Sequence, residues 1–166
     1  VFIHSKKGWV NLLNSTGQST LKNFIEAGGD FIGAGSGGVT FAESTGLFEI
    51  TFLSALGNGI VRIQYDPIDL LAAGFIEDRY AFVYDPVWFS NLSAGFNIVA
   101  TFDDGDFFLA GYWPDWKNSN AGGKPIIVRA EENSQDITLI GSDPTFRGHP
   151  RNDFRLIANA IYSGLE

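Results

Sequence analysis

The segment Gly33-Ala34-Gly35-Ser36-Gly37-Gly38 is where this sequence comes nearest to chemistry, and it admits three readings. In the first, Ala34-Gly35-Ser36-Gly37-Gly38 approximates the Gly-x-Ser-x-Gly elbow of serine hydrolases, with its first Gly replaced by Ala. A hydroxyl at such a corner attacks only when an imidazole removes its proton and a carboxylate orients that imidazole. Ser36, then Asp115 or Asp143, then His149 follow in the chain order that fold requires. The scheme depends on one of only two histidines reaching the elbow, and a Ser in a glycine turn commonly serves as a cap. In the second reading, Gly33, Gly35 and Gly38 satisfy Gly-x-Gly-x-x-Gly, the dinucleotide fingerprint. Its acidic partner about 20 residues onward is missing, and Asp66, at a suitable strand end, lies further away. The third reading is structural: the glycines let the turn pack close against the sheet. This third reading is adopted.

Other candidate groups are sparser. Zinc hydrolysis needs two His and a Glu around an open site, and neither His4 nor His149 has a partner ligand at usable spacing. The acidic run Asp103-Asp104-Gly105-Asp106 lacks the spaced ligands and distal Glu of a calcium loop and reads as a hairpin turn. Trp88-Phe89 and Tyr112-Trp113-Pro114-Asp115-Trp116 sit at strand ends beside proline. Exposed together they suit a sugar, a peptide or a partner domain; otherwise they close the rim of the core, the reading preferred. Arg147, Arg151 and Arg155 form a basic cluster suited to an anion or, preferably, to salt bridges with carboxylates. The ligand-binding candidates are therefore Ser36, Trp88, Trp113, Trp116 and Arg147.

These residues must be positioned by an α/β framework. Leu21, Phe24 and Ile25 form a helical stripe over 19–27, with Ser19 or Thr20 as cap and Gly28-Gly29 as stop. A buried strand over 30–33 runs into the glycine cluster, and 39–44 reads as the next helix. A strand–tight turn–helix unit is the usual place for a site in such sheets. The helix ahead of this strand argues that it is not the first unit. Alternation and turn residues predict strands over 59–65, 81–84, 96–102 and 107–112, the last two joined as a hairpin through Asp103-Asp104-Gly105. Segments 125–129 and 137–140 read as a strand pair, and 153–163 as a final helix striped by Phe154, Ile157, Ala158 and Ile161. The irregular loop 113–123 is too short to divide domains, and no repeat appears. One domain over 1–166 is expected.

Composition bounds the function. Hydrophobic residues make up 45% and charged ones 18%, which describes a packed chain and not a disordered one. A net charge of −8 disfavours nucleic acid and anionic lipid as partners. No apolar run is long enough to span a bilayer, and the first residues lack the pattern of a signal peptide. Zero cysteines exclude disulfides, thiolate metal sites and a Cys nucleophile. The absence of any Met predicts a fragment of a longer chain. Asn14-Ser15-Thr16 and Asn91-Leu92-Ser93 fit the glycosylation triplet, a pattern common by chance.

From about Leu21 onward the chain resembles the class I glutamine amidotransferase-like superfamily, in which a helix ending in Gly-Gly feeds a strand and a Gly-x-Cys-x-Gly elbow. Here Leu21 to Ala42 carries that likeness. Four further blocks are similar to the C-terminal domain of bacterial zinc carboxypeptidases of the carboxypeptidase A type: Gly57-Asn58-Gly59-Ile60-Val61, Asp85-Pro86-Val87-Trp88-Phe89, Ala110-Gly111-Tyr112-Trp113, and Thr138 to Arg147. The resemblance implies a three-layer, flavodoxin-like fold with a largely parallel central sheet and an antiparallel hairpin extension. It also implies a secreted setting, a peptidase domain of the same chain as partner, and zinc only in that domain, with no cofactor in this one. Peptide or another small ligand is a further expected partner. The match breaks at the chemistry, because Gly35 falls on the nucleophile position. The superfamily's His-Pro-Glu falls on Asp143-Pro144-Thr145 or, in another register, on His149-Pro150-Arg151. Gly35, Ser36, Asp143 and His149 thus outline a vestigial site, and a non-catalytic accessory domain is expected. A serine hydrolase and a ligand-binding domain are the alternatives.

Overall fold

A computed structural model describes residues 1–4, 13–46, 49–75, 80–132, 135–148 and 151–163. The first strand, β1 (Phe2–His4), leads to helix α1 (Ser15–Glu26), strand β2 (Phe31–Ala34) and helix α2 (Gly35–Ser44). α1 begins four residues before the predicted start, because Asn14 caps it: its side chain accepts from the Gly17 amide at 2.9 Å. α2 likewise starts directly at Gly35, with no loop between strand and helix.

Strands then dominate: β3 (Ile50–Ser54), β4 (Asn58–Tyr65), β5 (Tyr80–Tyr84), β6 (Val87–Leu92), β7 (Phe96–Phe102), β8 (Phe108–Tyr112), β9 (Pro125–Glu132) and β10 (Gln135–Ile140). Helix α3 (Phe154–Ser163) closes the described chain. The main sheet runs β1-β2-β10-β9-β7-β4-β5, with β8 also on β4, while β3 and β6 form a separate antiparallel pair.

The expectation of a largely parallel sheet is corrected. β1, β2 and β10 run parallel, and every other pairing in the sheet is antiparallel. Parallel neighbours require a crossover of a dozen or more residues, usually helical. Between Ile50 and Ile140 the described residues contain only short 3-10 turns, so nothing there returns a strand in the same direction.

The predicted hairpin through Asp103-Asp104-Gly105 is also corrected. β7 and β8 do not pair with each other; both lie antiparallel along β4, with Phe102 opposite Ile63 and Phe108 opposite Val61. Residues 103–107 loop out between them. The backbone of Arg62 closes this excursion, donating to the Phe107 carbonyl at 2.7 Å and accepting from the Asp103 amide at 3.0 Å. The predicted pair over 125–129 and 137–140 is present as β9 and β10.

Two apolar clusters lie on opposite faces of the sheet, as the alternation of β2 requires. Phe31 joins Leu21, Ile25, Phe41, Val87, Phe89 and Leu139, whereas its neighbour Ile32 joins Val61, Phe102, Ile126, Ile140 and Leu156. Phe31 stacks on Phe41 at 6.0 Å, fastening α2 to the sheet beside the glycine turn.

Candidate functional site

The glycine turn is a sharp corner. Ala34 is still extended at φ −114°, Gly35 turns to φ +61°, and α2 begins at once. A side chain at such φ costs roughly 1–2 kcal/mol, so glycine is the cheap occupant. Gly33 is held by space instead: a Cβ there would lie 3.0 Å from the Gly38 carbonyl oxygen and 2.9 Å from the Phe31 ring.

Position 35 differs in one respect. The three atoms nearest a Cβ built on Gly35 all belong to Asp143, at 3.5–3.8 Å, which is ordinary contact. The corner thus has room for the first atom of a side chain and aims it at the turn after β10. That turn is tied to the elbow by the Gly35 amide, which donates to the Ser142 carbonyl at 3.0 Å. Gly35→Ala should therefore cost only the backbone term, about 1–2 kcal/mol, measured as a shift in urea midpoint with unchanged slope.

Asp143 faces the corner but is engaged: its Oδ1 accepts from the Thr145 amide at 2.9 Å and the Thr145 hydroxyl at 2.8 Å. Ser36 is half-buried in the first turn of α2, and its side chain makes no hydrogen bond to a described residue. His149 lies outside the described residues. Asp115 lines a different hollow, together with Trp88 and Trp113. The structure therefore brings Gly35, Ser36 and Asp143 together and assembles no Ser–His–Asp geometry among the described residues.

The dinucleotide reading loses its acidic partner. Asp66 follows β4, and β10, β9 and β7 intervene between β4 and β2. Its carboxylate instead accepts from the Ile68 amide at 3.0 Å. β1 precedes β2 in the same sheet, so the glycine turn does not follow the first strand. Among the described residues no group of three or more His, Cys, Asp or Glu gathers as metal ligands. Asp103 of the acidic run is bonded to the Gln64 side-chain amide.

The aromatic candidates divide. Trp88 and Trp113 are 2% and 4% exposed and lie 5.8 Å apart, packed with Phe102 and Phe107, so they belong to the core rim. Trp116 is half-buried, edge-on to Phe107 at 5.4 Å. Above Trp88 and Trp113 opens a cleft of about 720 Å³, walled by Leu53 to Leu56 on one side and Tyr112 to Asp115 with Asn118 to Asn120 on the other. The wall from β3 was not legible in the sequence. A hydrophobic strand with no turn chemistry of its own gives no sign that its end will meet a loop some 60 residues later.

The basic cluster makes no salt bridge among the described residues. Arg147 is exposed at φ +51° over the Phe146 ring at 5.2 Å, and Arg155 lies over Phe75 while donating to the Gly74 carbonyl at 2.5 Å. The arginine that is buried with carboxylates is Arg129, on β9.

No protein-family model matches this chain, and no curated protein does. Solved structures do. A protein of Thermoplasma acidophilum named for GMP synthase superposes with a TM-score of 0.60 at 11% identity, over 98% of this chain and 71% of that one. A ThuA-like protein from Bacteroides uniformis gives 0.53 at 12%, over 89% and 63%. The fold is amidotransferase-like. A β-galactosidase from Bacillus circulans sp. alkalophilus contains a similar unit, with a TM-score of 0.52 at 13% identity, spanning 98% of this chain and 21% of that one. At these identities the likeness concerns the fold alone, and function must be argued from the residues.

Proposed function

We propose that this domain is non-catalytic and serves as an accessory unit of a larger secreted enzyme, on the sequence resemblance a zinc carboxypeptidase. The supporting observation is the elbow: a corner with the φ and the space for a projecting group carries glycine, and the carboxylate it faces is committed to its own turn. Acyl transfer needs a nucleophile, a base and an orienting group in one place. Sheet faces covered on both sides are compatible with the three-layer, flavodoxin-like plan, its parallel part reduced to β1, β2 and β10. A unit of this fold that spans about a fifth of a β-galactosidase is a precedent for such a unit within a longer enzyme.

A fluorophosphonate probe should leave the protein unlabelled. Labelling that disappears in Ser36→Ala would establish the serine hydrolase instead. The carboxypeptidase setting is tested separately, by reading the complete reading frame for a His-x-x-Glu peptidase region. Its absence removes that setting and leaves the inert elbow standing.

A further inference from the structure

Beneath the cleft, Trp88 holds a covered hydrogen-bond donor. The indole Nε1 of Trp88 is buried and has no acceptor among the described residues. A buried donor left unpaired is costly, and native structures leave few of them. Trp88 lines the cleft, whose volume of about 720 Å³ falls within the roughly 300–1,000 Å³ typical of small-molecule sites. Core packing alone does not account for the rim. Tyr112 is 66% exposed and Leu56 78%, and Asp115, Asn118 and Asn120 present side chains that make no hydrogen bond to a described residue. Asp115 and Asn120 both sit in the left-handed region, at φ +54° and +56°, which Asp and Asn adopt more readily than other side chains.

We infer that this cleft binds a neutral saccharide. The lining selects that chemistry by exclusion and by match. Among the described residues no Lys, Arg or His lines it, and their one formal charge is Asp115, so a phosphate or carboxylate ligand is disfavoured. A bare ammonium ion is favoured by Asp115 and the rings but has no lone pair to offer the Trp88 N–H. A sugar hydroxyl both donates and accepts, so it can donate to Asp115, exchange bonds with Asn118 and Asn120, and accept from the indole. Its C–H face suits the exposed Tyr112 ring and the side chains of Leu53 and Leu56. Because Nε1 is covered in the structure, its bond to the sugar requires the loop Tyr112 to Asp115 and the segment Leu53 to Leu56 to part. This inference concerns a different part of the domain from the elbow, and it holds or fails whether or not the parent enzyme is a carboxypeptidase.

The test is a titration of the ¹⁵N-labelled protein with maltose, cellobiose, lactose, sucrose and chitobiose, following the indole N–H resonances. Trp88→Phe assigns the reporter by removing it. At least one disaccharide should shift the Trp88 resonance saturably. Tyr112→Ala, at an exposed position that should not disturb folding, and Asp115→Asn, which tolerates positive φ, should each weaken that binding about tenfold, the worth of one good contact. Acetylated dipeptide amides and choline serve as competing chemistries. If the resonance answers to either of those and to no sugar, or to nothing in the panel, the inference is overturned. It is equally overturned if a sugar shifts other resonances while both rim variants bind as well as the parent protein.

Discussion

Asp136→Ala is expected to lower the unfolding free energy by about 3–5 kcal/mol, the usual loss when one partner of a buried ion pair is removed. Arg129 is 6% exposed and Asp136 7%, and they form a two-pronged pair across the β9–β10 hairpin, Nε to Oδ1 at 2.9 Å and Nη2 to Oδ2 at 2.6 Å. Glu131 adds a contact at 2.9 Å, Asp69 lies at 3.9 Å, and the guanidinium reaches the Ser163 carbonyl at 3.4 Å. Burial by itself pushes the guanidinium toward losing its proton. The hydrogen bond to Asp136 and the charges of Asp136, Glu131 and Asp69 outweigh it and raise its pKa. A raised folded-state pKa contributes stability that is complete below the unfolded value and fades only as pH rises through the folded one. For an arginine that window lies in strong alkali, so the Arg129 side of the pair should add no pH dependence near neutrality.

The loss in Asp136→Ala comes from leaving a buried cation with only the exposed Glu131 and the more distant Asp69, not from the pair's net worth. Arg129→Met combined with Asp136→Leu should therefore recover most of the stability lost in Asp136→Ala. Urea unfolding of the single and double variants decides this. A single variant within about 0.5 kcal/mol of the parent, the range of ordinary surface changes, would show that the pair is not buried in solution.

Gly141→Ala is expected to reach or exceed the roughly 1–3 kcal/mol of ordinary overpacking. A Cβ at this position would stand 2.1 Å from the Val87 carbonyl oxygen and 2.8 Å from that of Ile126. Both obstacles are backbone, which cannot swing aside as a side chain does. Gly141 also donates to the Ile126 carbonyl and accepts from the Val87 amide, each at 2.7 Å, so moving away breaks a hydrogen bond. The residue joins β9 to the start of β6, next to Trp88, and directly precedes Ser142, which holds the elbow. The variant should therefore unfold at lower urea and also broaden the Trp88 indole resonance. Retention of both the urea midpoint and that resonance would contradict the close approach.

Several features of the fold were legible in local sequence. The stripe of Leu21 and Ile25, the buried run of β2 and the strand 96–102 announce themselves by period, because each is a local hydrophobic pattern. The final helix lies over the expected residues, but it buries Leu156 and Ala160, while Phe154 and Ala158 of the predicted stripe are exposed. The missing side chain at position 35 was legible as well. A strand that enters a glycine corner at Gly35 has no side chain there whatever the rest of the chain does.

Strand direction and partnership were decided by tertiary structure. The signal Asp103-Asp104-Gly105 reads as a hairpin because turn chemistry is local, but β4 offers one long edge that takes up both β7 and β8. The five residues between them are accommodated by the Arg62 backbone, a partner some 40 residues away. β3 and β6 likewise find each other only in space, and their ends bring Leu53 and Trp88 to one side of the cleft that Tyr112 and Asp115 complete. Periodicity reports how a segment meets its own neighbours. Which edges pair, and what hollow their ends enclose, depends on long-range hydrogen bonds and burial that no local window contains.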